Sequence, residues 1–142
     1  MISYEQDFYS WTQEQAELLK NGRFSELDIA NLIEEVESMG RGEKRELESR
    51  LTCLLLHFLK WKYQEIRRKR RWQLSIDGQR IQFEQILSEN PGLKSALDEI
   101  IEKAYRLAVI QAALKTKITM AVFPECCPWT LTQLLEDGFY PN

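Results

Sequence analysis

The sequence predicts an all-α protein, a compact irregular bundle of about five main helices followed by a short C-terminal helix. Apolar residues recur with helical spacing along most of the chain, and no segment shows the sustained alternation that marks a strand. Only 6 of the 142 residues are glycine and 4 are proline. The composition is rich in leucine, glutamate, lysine and glutamine, which favour helices.

The first two helices are predicted from capping patterns. The first is expected to begin at the capping box Ser3–Gln6 and to end at Asn21-Gly22, with a core side of Tyr4, Phe8, Trp11, Leu18 and Leu19. The second is expected to begin near Ser25–Asp28 and to end at Gly40-Arg41-Gly42. Its apolar residues follow the spacing of one buried helix face: Ile29, Leu32, Ile33 and Val36.

The third helix is predicted to be the central element of the fold, from about Glu43 to Gln64. Almost every position from Leu51 to Leu59 is apolar, so this stretch should be covered on most sides. A charged segment follows, and then a fourth helix from about Trp72 to Leu87.

The fifth helix is predicted over residues 91–118, because apolar positions alternate in steps of four and three residues along one seam. That seam runs through Leu93, Leu97, Ile100, Ala104, Leu107, Gln111, Leu114 and Ile118. After an irregular segment, a capping box at Thr130–Gln133 predicts a short helix that Gly138 terminates.

Length and composition predict one helical domain over residues 1–142. The N-terminus has no basic and apolar leader pattern, and the apolar run Leu54–Leu59 is far shorter than the ~20 residues of a membrane span. The 3 cysteines do not form a disulfide framework. We therefore expect a soluble, cytoplasmic protein without a membrane partner.

The strongest functional signal is a basic segment. Residues 60–80 carry eight basic and two acidic side chains, although the whole chain has a net charge of −3. Basic and aromatic side chains together are typical of nucleic-acid binding, which makes these residues candidates for contact with nucleic acid or an acidic protein: Arg67, Arg68, Lys69, Arg70, Arg71 and Trp72. Alternatively, the segment is a solvated junction, or it pairs with the acidic second helix or across a dimer.

A second hypothesis is a metal-assisted or acid–base enzyme that uses Glu35, Glu37, His57 and Lys60. If the second helix packs on the third, Glu35 or Glu37 can reach the single histidine, His57, or the neighbouring Lys60. A buried histidine that bonds a carboxylate for structural reasons is the plainer interpretation. No standard metal-ligand spacing and no nucleotide-binding motif is present, so we predict no metal and no cofactor. A third class of function is an oligomeric scaffold joined through the fifth helix or the aromatic tail.

Several blocks of the sequence together resemble the domain-of-unknown-function family numbered twenty-nine. The blocks are YEQDFYSW at residues 4–11, NLIEEVESMGR at 31–41, HFLKWKYQ at 57–64, FPECCPWT at 123–130 and FYP at 139–141. The resemblance implies a small bacterial all-helical protein and implies no activity. Relatives are expected to have a proline after the Tyr-Gln pair, where this chain has Glu65, which implies a softer break after the third helix.

Overall fold

The computed structural model describes residues 1–142 and contains five α-helices, four short 3₁₀ turns and no strand, which confirms the all-α prediction. The helices are α1 (Phe8–Lys20), α2 (Ile29–Tyr63), α3 (Arg70–Glu89), α4 (Leu97–Thr116) and α5 (Leu131–Leu135). The 3₁₀ turns span Phe24–Glu26, Glu65–Arg67, Pro91–Ala96 and Met120–Val122. The chain divides into two compact units, Met1–Gly42 and Glu43–Asn142, which we describe one at a time.

Helix α2 runs without a break through Gly40 and Gly42, so the predicted end of the second helix there is wrong. The two glycines that do follow helices, Gly22 and Gly138, adopt positive φ angles of 71° and 80°, whereas Gly40 and Gly42 do not. An isolated helical glycine costs only ~1 kcal/mol relative to alanine. With no proline and no left-handed residue in this region, that cost does not end a helix.

In the first unit, α1 begins later than predicted. The carboxylate of Asp7 accepts a hydrogen bond from the backbone N–H of Ser10 at 3.1 Å and so caps the helix. The Ser3 hydroxyl accepts a hydrogen bond from the backbone N–H of Gln6 at 3.3 Å, one turn before α1 begins. Trp11 is buried as predicted, and the helix ends at Asn21.

The predicted buried face of the second helix is wrong. Ile29, Ile33 and Val36 are 54%, 52% and 61% exposed. Helix α1 instead bonds the polar edge of this part of α2, where the Trp11 indole N–H donates to the Asp28 carboxylate at 2.9 Å. Hydrogen bonds to the polar edge of α2 orient α1, so the apolar face of α2 remains exposed to solvent.

The core of the second unit surrounds α2 from Leu47 to Leu59. Six of its side chains have no exposed surface: Leu47, Leu51, Leu54, Leu55, Phe58 and Leu59. Helix α3 contributes Ile76 and Phe83 to the same core, and α4 contributes Ile100. The prediction that this stretch is covered on most sides is confirmed.

The seam predicted along the fifth helix is wrong in two respects. Residues 91–96 form a 3₁₀ turn, and the α-helix begins only at Leu97. From Ala104 onward the buried positions are Ala104, Tyr105, Ala108, Val109 and Ala112, whereas Leu107 and Leu114 are 40% and 76% exposed. The buried face after Ala104 therefore differs from the predicted seam and combines small and large side chains.

The C-terminal segment is joined to the core by a buried arginine. Helix α5 begins with the predicted capping box at Thr130 and Gln133. Arg80 of α3 is only 1% exposed, and its guanidinium donates to the backbone oxygens of Leu134 at 2.8 Å and Phe139 at 3.0 Å. It thereby provides donors for carbonyl groups that the short helix cannot satisfy itself.

We predict that Arg80→Met, which keeps the length of the side chain and removes its donors, lowers the free energy of unfolding by about 2–4 kcal/mol. The loss arises because buried carbonyl oxygens are left without donors. Urea denaturation followed by circular dichroism measures it. Arg106→Met, at an exposed arginine of α4, is the control and should change the value by less than about 0.5 kcal/mol. Equal effects of the two substitutions would contradict the anchoring role.

Candidate functional site

The basic segment lies where α2 ends, turns through Glu65–Arg67 and continues into α3. Arg67, Lys69, Arg70 and Arg71 are exposed, and Lys60 is half-buried. Four of these five cations are therefore exposed to solvent. These five residues and Lys115, which is described below, are called the basic cluster: Lys60, Arg67, Lys69, Arg70, Arg71 and Lys115.

Two tryptophans hold the segment in place. Trp72 is 5% exposed, and the ammonium groups of Lys60 and Lys69 lie 4.8 Å and 5.5 Å from the centroid of its ring. Arg68 donates from Nε to the carbonyl oxygen of Trp61 at 2.7 Å, and its guanidinium lies 5.0 Å from the Trp61 ring. Cation–π contacts of this kind fix the lysines and Arg68 against the helix ends. Of the residues predicted to contact a polyanion, Arg68, Lys69 and Trp72 thus have partners within the fold.

None of the ion pairs in the structure includes a cation of the basic cluster. Six cations elsewhere are paired; for example, Arg41 contacts Glu34 at 3.0 Å, and Lys103 contacts Glu48 at 3.3 Å. The cluster is therefore a concentration of positive charge without carboxylate partners.

Lys115, in the last turn of α4, joins the cluster, which no pattern in the sequence predicted. Partial burial lowers the pKa of Lys60, and the positive charges of Lys115, Lys69 and Arg71 lower it further. Lys115 follows Lys60 by more than fifty residues, so no local pattern connects the two. Only the packing of α4 on α2 brings them together.

The N-terminus of α3 adds to the positive character of the region. Its N-cap is Lys69, no side chain caps it, and no acidic residue lies in its first turn. Helices usually place a hydroxyl or carboxylate oxygen here, because the first N–H groups have no intrahelical acceptor and the helix dipole favours negative charge. At α3 the sequence instead supplies cations.

A groove of about 410 Å³ lies between α2 and α4 within the second unit. Helix α2 contributes Cys53 and His57 to its lining, and α4 contributes Gln111 and Lys115. Because Lys115 belongs to both features, the groove adjoins the basic cluster.

The ring of His57 has a defined orientation in this groove. Its Nδ1 lies 2.8 Å from the carbonyl oxygen of Cys53. A carbonyl oxygen only accepts, so Nδ1 carries the proton and Nε2 keeps its lone pair. No hydrogen bond from the protein reaches Nε2. Partial burial lowers the pKa of His57, and the charges of Lys60 and Lys115 contribute in the same direction.

The two carboxylates of the acid–base hypothesis belong to the first unit and have partners there. The Tyr4 hydroxyl donates to Glu35, and this bond is the main reason that the pKa of Tyr4 rises to about 12. Glu37 forms an ion pair with Arg41 at 3.9 Å. His57 and Lys60 belong to the second unit. The acid–base hypothesis assumed that two separate helices pack on each other, whereas Glu35, Glu37, His57 and Lys60 all lie on the single helix α2.

No group of three or more histidine, cysteine, aspartate or glutamate side chains is placed to hold a metal ion. The cysteines at 126 and 127 lie in the C-terminal segment, and the Cys127 thiol contacts the carbonyl oxygen of Trp129 at 3.6 Å. None of the helices combines the length and the apolar composition that crossing a membrane requires.

We predict that the pKa of His57 lies below the usual 6.5 and that NMR titration of this single histidine reports it without assignment. In the pH range between the lowered pKa and about 6.5, the unfolded chain binds more protons than the folded chain. The free energy of unfolding should therefore rise with pH across that range and not above it. His57→Gln should remove this part of the pH dependence, and an unchanged profile would contradict the assignment.

The comparisons with known proteins give one match. The model of the family described as "Domain of unknown function DUF29" matches residues 3–140, nearly the whole chain. Neither the comparison with curated proteins nor the comparison with solved structures finds a match. The match includes every residue on which the resemblance was based except Pro141, and the protein belongs to the DUF29 family.

Proposed function

We propose that this protein binds nucleic acid through the sugar–phosphate backbone, at the basic cluster. The observation that carries the proposal is the absence of any ion pair from that cluster. Six cations at the junction of α2 and α3 and at the end of α4 form no ion pair, and Lys69, Arg71 and Lys115 act together on Lys60. A chain of phosphates supplies the missing negative charge.

The electrostatics support a ligand with several negative charges. Lys60 and Lys69 both contact the ring of Trp72, and the charge of Lys115 on α4 also acts on Lys60, so like charges repel one another in the unbound protein. A bound phosphate removes that repulsion and releases counterions from the nucleic acid, which is the main driving force of non-specific binding. The uncapped N–H groups of α3 provide further donors for phosphate oxygens.

The aromatic residues of the segment support phosphate contacts over base stacking. Trp72 is buried, and the ring of Trp61 lies 5.0 Å from that of Tyr140. The ring of Tyr63 packs edge-on against Phe123 at 5.1 Å. With these faces occupied, exposed arginines and lysines are the groups left for contact. Because phosphate contacts carry no sequence information, binding should show little sequence preference.

The test is fluorescence anisotropy with labelled double-stranded DNA and single-stranded RNA, titrated at several salt concentrations. The variant replaces three exposed cations of the cluster: Arg67→Gln, Arg70→Gln and Arg71→Gln. We predict that it weakens binding at low salt at least about ten-fold and lowers the slope of log K against log salt by about 2 to 3, since each lost phosphate contact removes 0.7 to 0.9. The variant should fold normally, because cations near a helix N-terminus oppose the dipole.

The matched control replaces three exposed cations elsewhere, Lys20→Gln, Lys94→Gln and Arg106→Gln, and so changes the net charge equally. It should alter the affinity no more than about three-fold. An equal loss in both variants would mean that only net charge matters and would contradict a site. Failure of either nucleic acid to bind at low salt, or binding of polyglutamate alone, would overturn the proposal.

A second candidate is general acid–base chemistry in the groove, which the free Nε2 of His57 favours. A neutral imidazole oriented through its other nitrogen is the arrangement of a general base, and the nearby Lys60 and Lys115 can hold an anionic group. The roles of Glu35 and Glu37 in this chemistry remain a prediction from the sequence.

Diethyl pyrocarbonate, which acylates unprotonated imidazole nitrogen, tests whether Nε2 is available. We predict that the single histidine reacts in the folded protein and that bound oligonucleotide slows the reaction several-fold, because the groove adjoins the basic cluster. Mass spectrometry gives the extent of reaction. If His57 reacts only after unfolding, it cannot act as a general base in the folded protein. If bound oligonucleotide does not slow the reaction, the groove is not part of the nucleic-acid site.

A further inference from the structure

The first unit carries an apolar stripe that nothing in the chain covers. Along the beginning of α2, Ile29, Ile33, Val36 and Met39 are 54%, 52%, 61% and 64% exposed. Steps of three and four residues place these side chains on one side of a helix. Single exposed apolar residues are ordinary on protein surfaces, but a contiguous row of four marks an interaction site.

The bonding of α1 explains why the stripe stays free inside the unit. The Trp11 indole N–H donates to Asp28 at 2.9 Å, and the amide oxygen of Gln15 accepts the Asp28 backbone N–H at 2.8 Å. Further along, the Tyr4 hydroxyl donates to Glu35. Asp28 and Glu35 lie on another edge of the helix, roughly 100° to 160° from Ile29 and Ile33 at 100° per residue. Helix α1 and the preceding Tyr4 therefore form their hydrogen bonds along that edge.

The stripe has the shape of a helix-binding surface. Ile29, Leu32, Ile33 and Val36 surround a shallow hollow of about 270 Å³ that Glu37 borders. Gly40 lies on the same face one turn further on, and no atom is within 4 Å of the place where its Cβ would be. A glycine inside a helix lowers helix stability, and no contact within the chain accounts for it. It does leave room for the backbone of a second helix to approach closely.

The charge around the stripe indicates the chemistry of its partner. Residues 1–42 carry nine acidic and three basic side chains. Glu37 borders the hollow, Glu34 lies on the same edge of the helix, and the single cation Arg41 contacts both, at 3.9 Å and 3.0 Å, so this edge keeps a net negative charge. Two copies of this surface would bring like charges together. A partner with its own apolar face and positive flanks avoids that repulsion.

We propose that the stripe of Ile29, Ile33, Val36 and Met39, together with Gly40, docks an amphipathic helix with basic flanks from a second protein. The apolar face of that helix fills the hollow, and its lysines or arginines meet the acidic edge. Docking of this kind joins an apolar groove to an amphipathic helix in many recognition systems. It uses none of the residues of the basic cluster, so it does not depend on the proposed nucleic-acid site.

The probe is a synthetic helical peptide with leucines on one face and lysines beside them, and the control peptide has glutamate in place of lysine. Both are titrated by isothermal calorimetry into the full-length chain. We expect the lysine peptide to bind and the glutamate peptide to bind at least about ten-fold more weakly. Added salt should weaken binding of the lysine peptide.

Two variants locate the contact. Ile33→Ser/Val36→Ser removes apolar surface, and Gly40→Leu fills the space beside it while favouring the helix. Each should weaken lysine-peptide binding about ten-fold or more and leave oligonucleotide binding unchanged. Leu74→Ser/Ile81→Ser, at two residues of α3 that are 57% and 62% exposed, is the matched control and should bind like the unmodified chain.

Three outcomes overturn the proposal. Equal binding of both peptides would remove the electrostatic argument, and unchanged binding by the stripe variants would place the contact elsewhere. A concentration-dependent mass in light scattering that Gly40→Leu abolishes would make a second copy the occupant. Because oligonucleotide binding is measured on the same variants, failure here is distinguishable from failure of the nucleic-acid proposal.

Discussion

The burial of α2 between Leu47 and Leu59 constrains the rest of the second unit. A helix that is apolar on nearly every side has to be covered by α3, by α4 and by the C-terminal segment. Polar groups on this stretch are then confined to its margins, where Cys53 and His57 border the groove and Lys60 lies at the edge of the core. The basic run begins only after the core ends. Its cations remain at the surface because the core has no place for them.

The chain separates its charges and neutralises few of them in contact. The first unit is acidic and contains its own paired carboxylates, such as Glu37 with Arg41. The basic cluster has no paired cation. Exposed ion pairs stabilise a fold by only about 0–1 kcal/mol, so leaving cations unpaired costs the folded state little. The gain is in recognition, since an unpaired cluster keeps its charge available for a ligand.

The sequence identified the position of the candidate site and missed part of its composition. The run Arg67–Arg71 is visible as a local excess of charge, and it lies at a helix junction as expected. Lys115 was missed because only tertiary packing brings α4 beside Lys60. Trp72 was predicted as part of the ligand surface, whereas the structure places it under two lysines as a support. An aromatic residue beside cations looks the same in sequence whether its ring faces a ligand or the core.

The sequence by itself determined what depends on neighbours within about four residues. The helical class, the end of α1 at Asn21, and the capping box at Thr130 belong to this group, because hydrogen bonds and φ angles at helix ends are local. The tertiary structure decided which side of each helix is buried. Periodicity predicts that a helix has an apolar face, but the covering of that face depends on distant residues. The stripe at Ile33 stays exposed because α1 forms hydrogen bonds to a different edge of α2, and the buried face of α4 runs through Ala108, Val109 and Ala112 because the fold covers that side and leaves Leu107 and Leu114 at the surface.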